Sequence, residues 1–544
     1  MKKMLALILT LLLLGSLFAG CKKNSASDSA DAGELALTDP ALAPAAPTAD
    51  NARVFYEIFV GSFSDSDGDG IGDLRGIINR MDYLNDGDDS SGKSLGVEGL
   101  WLTPIFASNS YHKYDVNDYY TVDPAFGTTE DLQALLTLCH ERNVKVILDL
   151  PINHTSRSNE WFGNFLRAHR NKDTSDPYYE FYSYYSAGES APAGRSFSAL
   201  SGTDEYYECN FDGGMPELNF DNPDVRQAVL DVAKYYLDLG VDGFRFDAAK
   251  YIYFGDNDSS VDFWTWYMDQ LRAVKPDIYV VAEVWDGDGI TDLYYPAMNC
   301  FNFTMSQASG LIAETAQKGD VNRYVNYVST YLQSIAGTNP DAMLLPFIAN
   351  HDNDRAAGFL PTLNGYAQMA ANLLILGPGS PFIYYGEELG LRGSRGSSNT
   401  DANRRLAMAW GDGDTVQDPT GATYSQDNRV EATAKEQLAQ DFSLYTYYKK
   451  LIMIRKANPE IARGEYTALS LPDTKVGGFT ADWNGKSVCV LHNTTSKDVT
   501  LNLNDLKLED YTVLKSFIGL GEASLDGDKL TIGAQTSVVL RNDG

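Results

Sequence analysis

From residue 53 onward, short apolar runs alternate with stretches whose apolar residues recur every three or four positions. The runs at 54–60, 99–105, 144–150, 243–247, 278–284, 344–349 and 381–385 are continuous, as strands covered on both faces must be. A further strand is expected near residues 300–304, which makes eight. Between them lie amphipathic helices with clear ends. Asn222 supplies an N-cap before Pro223. Val225, Val229, Val232, Ala233, Tyr236 and Leu237 then share a face, and Gly240 closes the helix. Thr128 caps another helix, with Leu132, Leu135, Leu136 and Cys139 on one side. Eight strands alternating with helices predict an α/β fold, a parallel sheet closed into a (β/α)₈ TIM barrel.

The alternation breaks twice. Residues 154–221 are rich in Tyr, Ser, Gly and Asn and too long for a simple loop, so they read as a subdomain inserted after strand three. After residue 460 the helical pattern stops, and runs at 487–491, 499–503 and 538–540 predict a C-terminal antiparallel β domain, a sandwich over 461–544. The barrel is therefore expected over 51–153 and 222–460.

The N-terminus has a different character. Lys2 and Lys3 precede an apolar run that ends Leu17-Phe18-Ala19-Gly20-Cys21, which predicts a signal peptide over residues 1–20. A cysteine directly after Ala-Gly resembles the bacterial lipobox, although Phe18 replaces the usual branched aliphatic. The resemblance implies lipidation of Cys21 and a chain anchored at the cell envelope, facing outside the cytoplasm. A plain signal peptide or an uncleaved anchor are the alternatives. Residues 22–50, rich in Ala, Pro, Ser and Asp, read as a flexible tether. The remaining cysteines, at 139, 209, 300 and 489, lack metal-ligand spacing and are expected as buried thiols.

Composition narrows the partners. The 544 residues are 44% hydrophobic and 22% charged, a globular balance, and 43 basic against 74 acidic residues leave a net charge of −31. Such a surface repels phosphate backbones and excludes nucleic acid as a partner. A monomer acting on a neutral substrate is expected.

Candidate chemistry gathers at the C-terminal ends of the strands, where a barrel of this kind builds its site. Strand three ends Asp149-Leu150-Pro151-Ile152-Asn153-His154. Strand four reads Gly243-Phe244-Arg245-Phe246-Asp247, strand five Ala282-Glu283-Val284-Trp285, and strand seven Asn350-His351-Asp352. Three carboxylates converging with an arginine and two histidines are costly to desolvate and poorly explained by packing. These segments, in this order, resemble the four short conserved regions of the α-amylase family of glycoside hydrolases. Gly99-Leu100-Trp101-Leu102-Thr103-Pro104 on strand two and the 380–388 segment at strand eight extend the likeness over roughly residues 53–460.

The resemblance implies a retaining hydrolase of α-1,4-glucosidic bonds in starch-like α-glucans and maltooligosaccharides. It makes Asp247 the nucleophile, Glu283 the general acid/base and Asp352 the transition-state stabiliser. It implies that His112, Tyr114, His154, Arg245 and His351 bind substrate or orient the acids. Asp149 reads equally as an orienting residue, and the tyrosine-rich run at 178–185 as packing or as a sugar-stacking surface. Two features bear on specificity. Lys250 is followed by Tyr251 where many α-amylases have histidine, and Met215-Pro216-Glu217-Leu218-Asn219 is intermediate between oligo-1,6-glucosidase and neopullulanase forms. An α-glucosidase, neopullulanase or transglycosylase on the same scaffold is the alternative, and a non-catalytic glucan-binding protein a remote one.

A last candidate lies in the 65–73 loop. Asp65, Asp67, Asp69 and Asp73 recur around Gly68, Gly70 and Gly72 with the spacing of the first part of an EF-hand loop. With the carbonyl of Ile71 they form an all-oxygen donor set suited to Ca²⁺. A separate calcium site implied by the family would use Asn153 and the carbonyl of Tyr251.

Overall fold

The computed structural model describes residues 36–37, 51–425 and 429–542. The expected signal segment, Cys21 and most of the tether lie outside these residues. Seven strands form one parallel sheet in the order Asn299–Cys300, Tyr279–Ala282, Gly243–Phe246, Lys145–Leu150, Gly99–Leu102, Phe55–Ile58, Phe382–Tyr384. The sheet curls on itself. Its two ends are joined through Leu345 and Phe347, which make isolated parallel bridges to Phe301 and Phe382. The run at 344–349, expected as a full strand, is thus reduced to two bridges. Pro346 sits between them and has no N–H for a ladder, although its carbonyl still accepts from the Phe382 N–H at 2.9 Å.

Alternation along the strands separates two cores. Phe55, Trp101, Ile147, Tyr279, Val281, Phe301, Leu345, Phe347 and Phe382 fill the barrel interior as one apolar cluster. Their neighbours in sequence pack outward against the helices in a larger cluster. Gly243 is required by this closeness, because a Cβ there would stand 1.7 Å from the Tyr279 carbonyl oxygen. Two residues beyond the apolar layer come Glu57, Asp149 and Arg245, with Asp149 paired opposite Arg245 in register. The barrel interior therefore changes from apolar to charged within one strand repeat.

The helices begin where their caps allow. Thr128 accepts from the Asp131 N–H while Asp131 returns the contact, opening Thr129–Glu141, and Asn222 accepts from the Asp224 N–H to open Pro223–Asp238. After strand three the chain builds the helix Glu160–Asn171 and a three-stranded antiparallel sheet with Glu205–Glu208 between Tyr184–Ser186 and Phe197–Ala199. A bridge from His154 to Glu217 brings the two ends of this excursion together. In it Tyr182 is buried and Tyr179 stacks on His169 at 4.0 Å, so these members of the tyrosine-rich run serve packing.

From Glu465 the chain forms an antiparallel sheet in the order Val513–Gly519, Thr536–Arg541, Lys486–Asn493, Val476–Trp483, Glu465–Ser470. A second sheet of Val499–Asn502, Lys529–Ile532 and Ala523–Asp526 accompanies it, with Cys489, Leu491, Leu503, Leu530 and Leu540 in a shared core. Ala36–Leu37, inside the expected tether, instead add an edge strand to the first sheet, pairing with Gly519 and Ile518. The short apolar run at 35–37 suits it to that edge, whose backbone groups would otherwise lack partners. Cys139, Cys209, Cys300 and Cys489 are buried free thiols. Among the described residues no helix is long and apolar enough to cross a membrane.

Candidate active site

Arg245 organises the charged layer above the apolar interior. Its Nη1 donates to Asp149 Oδ1 and to Asp247 Oδ1, each at 2.7 Å, and its Nη2 lies 2.9 Å from Glu283 Oε1. All three carboxylates are at least nine-tenths buried, and Arg245 is fully so. Position two along the strand puts Asp247 on the same side as Arg245, and register puts Glu283 on the neighbouring strand beside it. Asp149 also accepts from the Tyr114 hydroxyl at 2.7 Å, so it orients both an arginine and a tyrosine. The guanidinium sits 5.3 Å above the Trp101 ring, a cation–π contact.

Two carboxyls of this layer are driven to opposite protonation states. Burial, reinforced by Asp247 and Asp352 and opposed by Arg245, pushes the Glu283 carboxyl up to about 7. Burial alone would also raise Asp352, but His351 and then Arg405 outweigh it and hold that carboxyl far below the usual range. His351 is itself pushed up to about 10. Its burial opposes the charge, but Asp352 at 3.0 Å and Glu57 at 2.6 Å overcome that cost and keep it an imidazolium. Its Nε2 also lies 2.7 Å from the Tyr114 hydroxyl, and the two rings stack.

These groups border a cleft of about 500 Å³, the size of an ordinary small-molecule site. His112, Tyr114 and His154 line it with Asp247, Glu283 and Asp352. Burial lowers both histidines, His112 to about 4. His154 lines this cleft, and neither of its buried ring nitrogens has a hydrogen-bond partner. Phe211, from the inserted subdomain, packs 5.2 Å from His154 and 5.0 Å from Tyr251, where the sequence departs from many α-amylases. Lys250 turns instead to Asp286 and the Trp285 carbonyl.

Arg405, not singled out from the sequence, is part of this site. It donates to Asp352 Oδ1 at 2.8 Å, to the His351 carbonyl at 3.0 Å and to the Tyr111 hydroxyl at 3.2 Å. Arg404 beside it donates to the Asp352 carbonyl at 2.7 Å. Glu57, unmarked within its apolar strand, joins the site through His351, and Trp285, 42% exposed in the cleft wall, stacks on Phe303 at 5.1 Å. The adjacent arginines close a single 3₁₀ turn, Asp401–Arg404, too short to show a periodic pattern, and only the doubled charge in a polar stretch offered a signal.

The candidate metal residues fall into two places. Asp65, Asp67 and Asp73 bring carboxylate oxygens within 4.8 Å of one another. Asp69 stands outside that group and accepts from the Ile71 N–H at 2.7 Å. The donors are hard oxygens held around Gly68 and Gly70, both at positive φ, which fits calcium chemistry. Asp73 has a second duty, capping Leu74–Asn79 through the Gly76 N–H. Asn153 is distant from this loop in function: its amide donates to the buried Glu217 at 3.2 Å.

Residues 57–464 match the family described as the α-amylase catalytic domain. The chain belongs to that family. It is therefore a glycoside hydrolase of the group that acts on α-glucans. The chain is similar to α-amylase 3 of Dictyoglomus thermophilum, 33% identical over 90% of this chain and 93% of that one. It is also similar to an oligo-1,6-glucosidase of Parageobacillus thermoglucosidasius, 29% identical over 83% of this chain and 91% of that one. Among solved structures, Amy13B of Eubacterium rectale superposes with a TM-score of 0.82 at 32% identity, covering 91% of this chain and 96% of its own. The α-amylase from H. orenii superposes with a TM-score of 0.78 at 33% identity, covering 90% of this chain and 99% of its own.

Proposed function

We propose that this α-amylase family member is a retaining hydrolase that cleaves α-1,4-glucosidic bonds in starch-like glucans and maltooligosaccharides. The observation that carries the reading is the divided protonation of the site. Glu283, raised to about 7, can carry a proton to a leaving oxygen, while Asp352 stays ionised to face positive charge. Asp247, held by Arg245, attacks the anomeric carbon and forms a glycosyl-enzyme as the C–O bond to the leaving sugar breaks and Glu283 protonates that oxygen. Glu283 then takes a proton from water, whose oxygen displaces Asp247 with a second inversion. His154 and His112 bind sugar hydroxyls, and Tyr114 offers its ring beneath the sugar. NMR of the first product tests this: α-configured reducing ends from soluble starch support it, and β-configured ends overturn it.

Transfer to a second sugar is the alternative. The exposed faces of Trp285 and Phe211 beside Glu283 favour it, since aromatic faces bind sugar rings and would retain an acceptor. Relatives named 4-α-glucanotransferase and oligo-1,6-glucosidase accord with either activity. Product analysis on maltotriose separates them, because transfer yields products longer than the substrate.

Three further assignments complete the reading. The 65–73 loop binds Ca²⁺ through Asp65, Asp67 and Asp73, which a cation would relieve of mutual repulsion. Cys21 carries lipid that anchors the enzyme to the envelope, on the strength of the residues before it. The enzyme acts as a monomer.

A further inference from the structure

A second cleft of about 430 Å³ is lined in part by Asn353 and Asp354, the residues that follow Asp352. Consecutive residues divide between the two: Asp352 faces the catalytic cleft and Asp354 the second, Asp401 and Arg405 the first and Arg404 the second. Its floor and walls include Gln307, Asp354, Phe359, Ser394, Arg404 and Tyr424.

The charges in this lining cancel. Arg404 Nε donates to Asp354 Oδ1 at 2.8 Å, so the only acid and base named there satisfy each other. Neither an anion nor a cation would find an uncompensated partner. What remains open is polar and uncharged. The Gln307 amide, the Ser394 hydroxyl and the Tyr424 hydroxyl make no side-chain hydrogen bond among the described residues, and all three are half-buried. Gln307 is also held at φ 71, a left-handed conformation that costs a non-glycine residue about 1 kcal/mol or more. Its N–H is fixed on the Ile348 carbonyl at 2.8 Å, and the residue lines the cleft wall. Phe359 and Tyr424 add apolar ring surface. Open amide and hydroxyl groups in one lining with two aromatic rings, without net charge, match a ligand that presents many hydroxyls and apolar C–H faces.

We propose that this cleft is a second binding site for a segment of α-glucan, separate from the catalytic cleft. It rests on the α-glucan reading above. It would hold a polymer beside the site that cuts it and favour long chains over short ones.

Calorimetric titration of maltotriose into the E283Q enzyme, which cannot turn it over, reads the number of sites directly. Two sites are expected, and one in E283Q carrying Gln307→Ala and Tyr424→Ala. In the otherwise native enzyme the same pair should leave kcat/KM for maltotriose within about twofold and raise KM for soluble starch about threefold or more. A single site in E283Q, or two sites undiminished by the pair, overturns the second cleft while leaving the catalytic reading standing. No maltotriose binding, with no hydrolysis of any α-glucan by the native enzyme, overturns both. Should the pair prevent folding, Ser394→Trp fills the cleft from another wall and should abolish the same site; retention of both sites there overturns the proposal.

Discussion

His351 and Glu57, 294 residues apart in sequence, meet at 2.6 Å beneath the cleft. The contact makes Glu57, a residue of the first barrel strand, a counter-ion for the histidine that holds Asp352. Glu57→Gln removes a charge and keeps the shape. The His351 pKa should fall from about 10, and kcat should drop roughly 10- to 100-fold, the usual cost of removing a group that orients a catalytic one. NMR titration of the His351 ring alongside kcat checks it; an unmoved titration would remove Glu57 from the site.

In the proposed mechanism Glu283 must be protonated to act, and burial pushes its carboxyl up to about 7. Activity should therefore fall on the alkaline side, with kcat/KM halved near pH 7 and losing about tenfold per further unit. Asp352→Asn removes a negative neighbour that raises Glu283, so the alkaline limb should move to lower pH. Its rate should be lower by about 10²–10³-fold. A limb that stays in place, or moves up, contradicts the coupling.

Calcium bound only by the folded loop should stabilise the enzyme, by about 2.7 kcal/mol when free ion is a hundredfold above its dissociation constant. Chelation should lower the melting temperature, and Asp67→Ala should abolish that response. Asp67 is the better probe than Asp73, whose loss also removes a helix cap worth about 1 kcal/mol. An equal chelator response in both proteins rules this loop out.

Glu387 and Glu388 are buried side by side behind strand eight. Burial, aided by Glu388 and opposed by the Tyr448 hydroxyl, pushes Glu387 up to about 8. Because the folded pKa lies above the ordinary value of 4.5, the folded state keeps a proton that the unfolded chain has lost. This contribution is complete below that ordinary value and disappears as pH rises toward about 8. Urea unfolding of the native protein should show stability falling over this window by up to about 1.4 kcal/mol per pH unit, with a shallower slope in Glu387→Gln. Parallel profiles would clear Glu387 of the effect.

If Cys21 is lipidated, the mature enzyme should sediment with membranes, since each buried CH₂ contributes about 0.8 kcal/mol. Cys21→Ala should release it or leave it unprocessed. Mass spectrometry finding an unmodified N-terminus downstream of Cys21 decides against the anchor.

Much of the site was legible because strand ends are short and their apolar context is strong. Asp247, Glu283 and Asp352 follow apolar runs that mark their positions on the barrel. Arg405 was not, because it caps a single short 3₁₀ turn that reaches Asp352 from 53 residues on. Glu57 was hidden by the opposite cause: it sits inside a continuous apolar run, and its partner His351 is 294 residues away in sequence. The seventh strand is shorter than its apolar run predicts, because Pro346 within it lacks a ladder donor and only the bridges at Leu345 and Phe347 remain.

That sparsely bridged wall has a consequence for how this scaffold diverges. Asp247 and Glu283 ride on continuous ladders and inherit their spacing from the sheet itself. Asp352 extends from a segment stitched in at Leu345 and Phe347, and its aim is set by Arg404 and Arg405 reaching over from the next loop. The pair proposed to make and break bonds is thus built into the chassis, whereas the third carboxylate hangs on an adjustable bracket. Substitutions in the 399–405 segment can retune that bracket, and with it which glucans are accepted, while the rest of the barrel is inherited unchanged.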